Sequence, residues 1–260
     1  MKKLAYALII ISVLFFASCG NGRESAIILA GSTSVQPYAE ILAEEFERLY
    51  GMYADIQGGG SSAGISAAIS GAADIGMSSR ELTEKEISGG LWYAEIAIDG
   101  LAVIVHPDNG IFGLTLSTVR GIYDGSVTEW EGTGKKIHVI TREEGSGTRS
   151  AFESLVMGEN YITPKAIVQD SNGAVKQLVS GDKDSIGFIS LGLVDGSVKA
   201  LSLDGAYPSF DNVADGSYNL YRPFLFVCGK EPDGPVKSFV DFVFSPGAQA
   251  ILANEGLIPK

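Results

Sequence analysis

Cysteine is nearly absent from this chain. Its 260 residues hold two, Cys19 and Cys228, and only two histidines, His106 and His138. No pair or cluster among them has zinc-ligand spacing, so no structural metal and no cofactor is expected. Positive charge is also scarce. Nineteen Lys and Arg face 31 Asp and Glu, a formal net charge of -12. That balance argues against a nucleic-acid partner. An acidic chain still holds an anion where local donors outweigh distant, screened charges. Tandem repeats and long low-complexity stretches are missing too, which argues against a repeat array. What remains is a globular composition, 45% hydrophobic and 19% charged, with a high count of 33 Gly that points to many turns and close backbone approaches.

The first residues read as a targeting segment. Lys2 and Lys3 precede an almost unbroken apolar run from Leu4 to Phe16, followed by Ala17, Ser18, Cys19 and Gly20. The run is short for a spanning helix. Residues 1–19 are therefore expected to be a signal peptide, with Phe-Ala-Ser-Cys as a lipoprotein processing box that leaves Cys19 lipidated. Residues 20–25 read as a polar tether. Cys228, in the run Leu225 to Cys228, is left as a small buried hydrophobe.

Beyond the tether the chain alternates strand, polar loop and helix. Ala26 to Ala30 is an apolar strand ending at Gly31, and Tyr38, Leu42, Phe46 and Leu49 mark one helical face. Tyr53 to Ile56 leads through Gly58–Gly60 to a helix carrying Ile65, Ala68, Ile69 and Ala72. Leu101 to Val105, Ile137 to Ile140 and Ile186 to Ile189 are further strands. Phe152, Leu155 and Val156 begin a helical face, and Val236, Phe239, Val240, Val243 and Phe244 mark a late one. The alternation predicts an α/β fold.

Three loops share one composition: Ser32-Thr33-Ser34, Ser61-Ser62, and Ser146-Gly147-Thr148 with Arg142 upstream. Each follows a strand and enters a helix. Such loops aim backbone N–H groups, hydroxyls and a helix N-terminus at one point, which makes an anion site. One loop alone is ordinary helix capping. Three of one design point to convergence. Arg142 is the expected fixed charge, since its planar fork suits a tetrahedral oxyanion. Arg80 and Arg149 are further candidates. Asp74 and Glu144 are the expected proton-reading carboxylates. An ionised carboxylate only accepts hydrogen bonds, so it favours an oxyanion that carries hydrogen and opposes one that does not.

These loops, in order, resemble those of the phosphate-binding subunits of bacterial phosphate ABC transporters. Gly31 to Pro37, Gly58 to Gly64, Asp74 to Arg80 and Arg142 to Arg149 resemble that family's phosphate loops. Leu114 to Trp130, Tyr221 to Phe224 and Phe239 to Pro259 also fit, so the similarity spans nearly the whole mature chain. The resemblance implies no catalysis and no cofactor, but inorganic phosphate as ligand, an ABC permease as partner, and a monomer anchored by lipid on Cys19, facing the periplasm or cell exterior. It implies phosphate contacts from Thr33, Ser34, Ser61, Asp74, Arg142, Glu144, Ser146, Gly147 and Thr148, with Ser78 and Arg80 as additional candidates. Glu144 departs from the pattern, because some family members carry Asp there.

The resemblance also implies the two-lobed type II periplasmic-binding-protein fold, with the ligand in the cleft between lobes. The expected first lobe is residues 25–103 plus about 195–260, and the second is 104–194. Two rivals stand beside this expectation. One is the same fold holding sulfate or molybdate. The other is a serine hydrolase, because Gly60-Ser61-Ser62-Ala63-Gly64 matches G-x-S-x-G with Ser62 as nucleophile and His106 or His138 as base.

Overall fold

The computed structural model describes residues 27–260. The signal segment, Cys19 and the tether lie outside the described residues. Three short strands open the fold: Ile27–Gly31 (β1), Ala54–Gly58 (β2) and Ile75–Ser78 (β3). They pair in parallel, β2 and β3 flanking β1. Parallel neighbours need crossovers, supplied by helices Gln36–Tyr50 (α1) and Ser61–Ser70 (α2). Pro37 lies in the first turn of α1, where its missing N–H costs nothing, and the helix stops at Gly51 in the left-handed conformation, φ 68°. Tyr38, Leu42 and Phe46 line its buried face as their spacing predicts, whereas Leu49 turns outward.

α2 lies unusually close to the sheet. A Cβ on Gly64 would sit 2.4 Å from the Ala30 carbonyl oxygen and 2.6 Å from the Gly31 Cα. Both obstacles are backbone, so only glycine fits. That approach brings the N-terminal turn of α2 beside the turn that follows β1.

A short helix, Glu84–Ser88 (α3), leads to a 14-residue strand, Trp92–Val105 (β4). β4 is longer than the apolar run Leu101 to Val105 predicts. Its first part pairs antiparallel with the late strand Tyr221–Cys228 (β11), and its second part with Ser185–Ser190 (β8). β8 in turn pairs in parallel with His138–Arg142 (β6), and β6 with Ile167–Gln169 (β7). The strand order is β2-β1-β3-β11-β4-β8-β6-β7. Helices Gly147–Phe152 (α5), continued as a π-helix over Glu153–Met157, and Asn172–Gly181 (α6) cross over this second half. Leu116–Asp124 (α4) packs against it.

Two hydrophobic clusters result. The first gathers Phe46, Phe226, Phe239 and Phe242 around α1, β11 and helices Gly234–Val243 (α8) and Pro246–Asn254 (α9). The second gathers Tyr123, Phe152 and Phe188, the last two stacked at 4.1 Å. β4 and β11 run from one to the other, so the molecule has two lobes. Val198, Leu203, Val213 and Leu220 belong to the second cluster. The return near residue 195 expected from the sequence is thereby moved to Tyr221, because the intervening segment buries its apolar side chains in the second lobe. Cys228 is buried as expected.

The turn after β3 is pinned by Arg80. Its Nη1 and Nη2 donate to the Glu86 carboxylate at 2.9 Å each, and Glu86 also accepts from Thr83 N–H at 2.7 Å in a capping box. The Arg80 hydrogen bonds hold the Glu86 carboxyl down to about 2, from an ordinary 4.5. A carboxyl depressed on folding stabilises above its unfolded value and loses that contribution as pH falls through its folded one. Glu86→Gln should lower the melting temperature near neutral pH. The gap from the parent protein should shrink as pH falls from about 4.5 toward about 2. A gap that stays constant over that window in thermal melts would contradict the assignment.

Candidate functional site

The C-terminal ends of the parallel strands of both lobes face one another. After β1, the Ser32 hydroxyl accepts from the N–H groups of Ser34 (3.2 Å) and Val35 (3.4 Å) and donates to Ser79 Oγ at 2.8 Å. At the start of α2, Ser61 Oγ accepts from Ser79 N–H at 3.0 Å and lies 3.3 Å from Ser79 Oγ. Ser32, Ser61 and Ser79 are all buried. The first lobe thus contributes a chain of hydroxyls at the N-terminal turns of two helices, the positive ends of the helix dipoles.

The second lobe meets them directly. Ser146 caps α5 by accepting from Arg149 N–H at 3.3 Å. A Cβ on the next residue, Gly147, would lie 2.2 Å from Ser61 Oγ and 2.5 Å from Ser79 Oγ, so the backbone there presses on the serines of the other lobe. Ser62 N–H donates to the Gly145 carbonyl at 3.1 Å. Thr148 Oγ1 lies 2.8 Å from Ser34 Oγ, which also accepts from Asn172 Nδ2 at 2.7 Å. Hydrogen bonds therefore cross the cleft at several points, the geometry of a closed state.

Arg142 ends β6 and is 1% exposed. Its Nε and Nη2 donate to the two Glu143 carboxylate oxygens at 2.9 Å each. Nη2 also donates to Thr33 Oγ1 (3.2 Å) and the Asp170 carbonyl (3.0 Å), and Nη1 to Thr148 Oγ1 at 3.5 Å. One guanidinium thus ties the first-lobe turn to two turns of the second lobe.

A second buried charge pair adjoins the serines. Arg222 of β11 and Asp99 of β4 are directly opposite one another across the two strands that join the lobes. Arg222 Nε and Nη2 donate to Asp99 Oδ2 at 3.0 and 2.9 Å, and Ser190 Oγ donates to Oδ1 at 2.7 Å. Burial pushes the Asp99 carboxyl up and the Arg222 guanidinium down, and each partner's charge opposes that shift. Beside them, burial raises the Tyr38 hydroxyl, which stays protonated.

Thr33, Ser34, Ser61, Arg142, Ser146, Gly147 and Thr148 are brought together. Two expected carboxylates are not. Asp74 sits at the opposite end of β3, exposed, where its Oδ2 accepts from Ile28 N–H at 2.8 Å and it lines a surface cavity with Cys228 and Lys230. It is a strand-end cap. Glu144 is exposed, and its neighbour Glu143 holds Arg142 instead. Ser78 is buried but turned away, donating to the Arg80 carbonyl at 2.9 Å. Arg80 is spent on Glu86, with Nη2 also donating to Ser62 Oγ at 3.3 Å. For the hydrolase alternative, Ser62 Oγ accepts from Arg80, and both candidate histidines bond elsewhere. His106 Nδ1 accepts from Asp108 N–H, and His138 pairs with Asp182 on the second lobe.

Ser32, Ser79, Asn172, Asp99 and Arg222 complete the cluster. Asn172 opens α6 after Ser171, in a fourth strand–turn–helix unit whose turn, Asp170-Ser171-Asn172-Gly173, holds a single hydroxyl residue. Asp99 and Arg222 each interrupt an apolar run, and a lone charge in such a run calls for a buried partner.

A family model for the PBP superfamily domain matches residues 20–247. The phosphate-binding protein PstS of Bacillus subtilis (strain 168) is 30% identical over 286 residues, covering 100% of this chain and 95% of that protein. PstS of Borreliella burgdorferi is 28% identical over 277 residues, 99% of each. Among solved structures, one from Clostridium perfringens is described as a phosphate ABC transporter substrate-binding protein with bound phosphate. It is 41% identical with a TM-score of 0.88, covering 91% of this chain and 100% of that one. An ABC-type phosphate transport receptor from Vibrio cholerae is also 41% identical, with a TM-score of 0.76 over 90% of this chain and 100% of that one. By sequence and fold alike, this chain belongs to the PstS family of phosphate-binding proteins within the PBP superfamily.

Proposed function

We propose that this chain binds inorganic phosphate in the cleft between its lobes, outside the cytoplasmic membrane, and delivers it to the permease of an ABC transporter. The observation that carries this reading is Arg142: a guanidinium 1% exposed, surrounded by hydroxyls from both lobes. A buried cation with donors on several sides is suited to a small, multiply charged oxyanion. Thr33, Ser34 and Ser61 bind from the first lobe, and Arg142, Ser146, Gly147 and Thr148 from the second. The cleft closes over the ligand and excludes water, which strengthens each charge-assisted bond.

Proton reading passes from carboxylates to hydroxyls. With Asp74 and Glu144 outside the cluster, the acceptors are serine oxygens such as Ser79 Oγ, which already accepts from Ser32. A hydroxyl offers lone pairs to a P–OH that sulfate lacks, although it also turns to donate. The preference for phosphate over sulfate expected from such acceptors is softer than a carboxylate would give. Calorimetry with both anions should show phosphate binding the tighter, and Arg142→Ala should weaken it by about 3 kcal/mol, roughly a hundredfold. Equal affinities for the two anions, or an Arg142→Ala variant that binds like the parent, would defeat the reading.

The chain acts as a monomer held to the membrane by lipid on Cys19. Among the described residues no helix is long and apolar enough to cross a membrane; the sequence Phe-Ala-Ser-Cys is what supports the anchor. Cells fed labelled fatty acid should label the parent protein and not Cys19→Ser. Equal labelling of both would remove the anchor.

A further inference from the structure

The two buried arginines of the site are arranged alike. Arg142 and Arg222 are 1% and 2% exposed. Each spends its Nε and Nη2 edge on a carboxylate: Arg142 on Glu143, and Arg222 on Asp99. Each turns Nη1 toward the hydroxyl cluster. Arg142 Nη1 reaches Thr148 Oγ1 at 3.5 Å, and Arg222 Nη1 reaches the Ser79 carbonyl and Ser79 Oγ at 3.4 Å each. Those distances are long for N–H···O bonds, so both Nη1 groups are weakly committed donors. Between the guanidinia stands the Ser34–Thr148 hydroxyl pair, with Arg222 Nη2 donating to Ser34 Oγ at 3.1 Å. The two cations sense each other, since Arg142 is among the groups that lower the Arg222 guanidinium, after burial itself.

Each guanidinium is balanced by its own carboxylate, but its Nη1 edge has only long contacts, and a buried donor left poorly satisfied is costly unless an acceptor such as an oxyanion completes it. We propose that Arg222 is a second guanidinium ligand of the bound oxyanion, aimed by Asp99, so that the site selects the dianion of phosphate over the monoanion. This rests on the phosphate reading above. Asp99 is a positioning residue. It lies opposite Arg222 on the neighbouring strand, and Ser190 fixes its other oxygen. The remaining polar groups about Arg222 are Arg142, Ser79, Ser34 and the protonated Tyr38 hydroxyl. None of these supplies a negative charge that substitutes for the ligand.

The test uses inorganic phosphate with the mature protein and three variants: Arg222→Lys, Asp99→Asn, and the double variant Asp99→Asn/Arg222→Met. The double variant removes both charges together and leaves no orphan ion in the core. Calorimetry should show its phosphate affinity about a hundredfold below the parent's. Phosphorus NMR should show bound phosphate titrating to the monoanion at higher pH than in the parent, a signature that a purely structural tie would not move. Asp99→Asn alone should move the bound-phosphate titration the opposite way, to lower pH, because it leaves the Arg222 charge without its carboxylate. Arg222→Lys should fall between parent and double variant, and it carries the test if the double variant does not fold. Should the parent fail to bind phosphate, the functional reading fails first. Should the parent bind while a folded double variant, or Arg222→Lys, stays within about threefold of it with an unshifted titration, the inference is overturned and Arg222 only ties two strands together.

Discussion

A guanidinium removed from water must find its partners inside the protein, and Arg142 organises this molecule around that requirement. Its donors reach Glu143 beside it, Thr33 on the opposite lobe, and Thr148 and the Asp170 carbonyl on its own. A buried ion left unpaired costs several kcal/mol, so these contacts hold or fail together. The turns from both lobes therefore acquire fixed positions relative to one another. Glycines permit the approach: Gly64 lets α2 lie against β1, and Gly147 lets the second lobe press on Ser61 and Ser79.

The topology explains why closing the lobes assembles a site. The turns lie at the C-terminal ends of parallel strands, where helix N-termini converge, and two long strands carry the chain between lobes. β4 changes partners midway, pairing with β11 up to Gly100 and with β8 from Leu101. Asp99 and Arg222 sit at that changeover. A charge pair at the crossing is thus joined through Ser34 to the hydroxyl cluster between the lobes.

Much of this was legible in the sequence because strand–turn–helix units announce themselves locally. The turns at Ser32, Ser61 and Ser146, and Arg142 beside the last, follow from composition and from a family resemblance that runs the length of the chain. The remainder depends on tertiary position. Asp74 and Ser79 are five residues apart around one short strand, yet they sit at opposite ends of β3, and local pattern does not say which end faces the cleft. Glu143 and Glu144 are adjacent acids, and only the packed backbone decides which one clamps Arg142. The first half of β4 is not legible as a strand because Glu95 and Asp99 interrupt its apolar pattern. Asp99 is tolerated there only through Arg222, 123 residues away.

The central claim is that an oxyanion held between lobes is what the inter-lobe hydrogen bonds are built around. Small-angle X-ray scattering of the mature protein, stripped of anions and then saturated with phosphate, addresses it directly. The account predicts a smaller radius of gyration with phosphate, as the hydroxyl turns of the second lobe close onto Ser34, Ser61 and Ser79. Identical scattering curves for stripped and saturated protein, with phosphate shown to be bound, would contradict it.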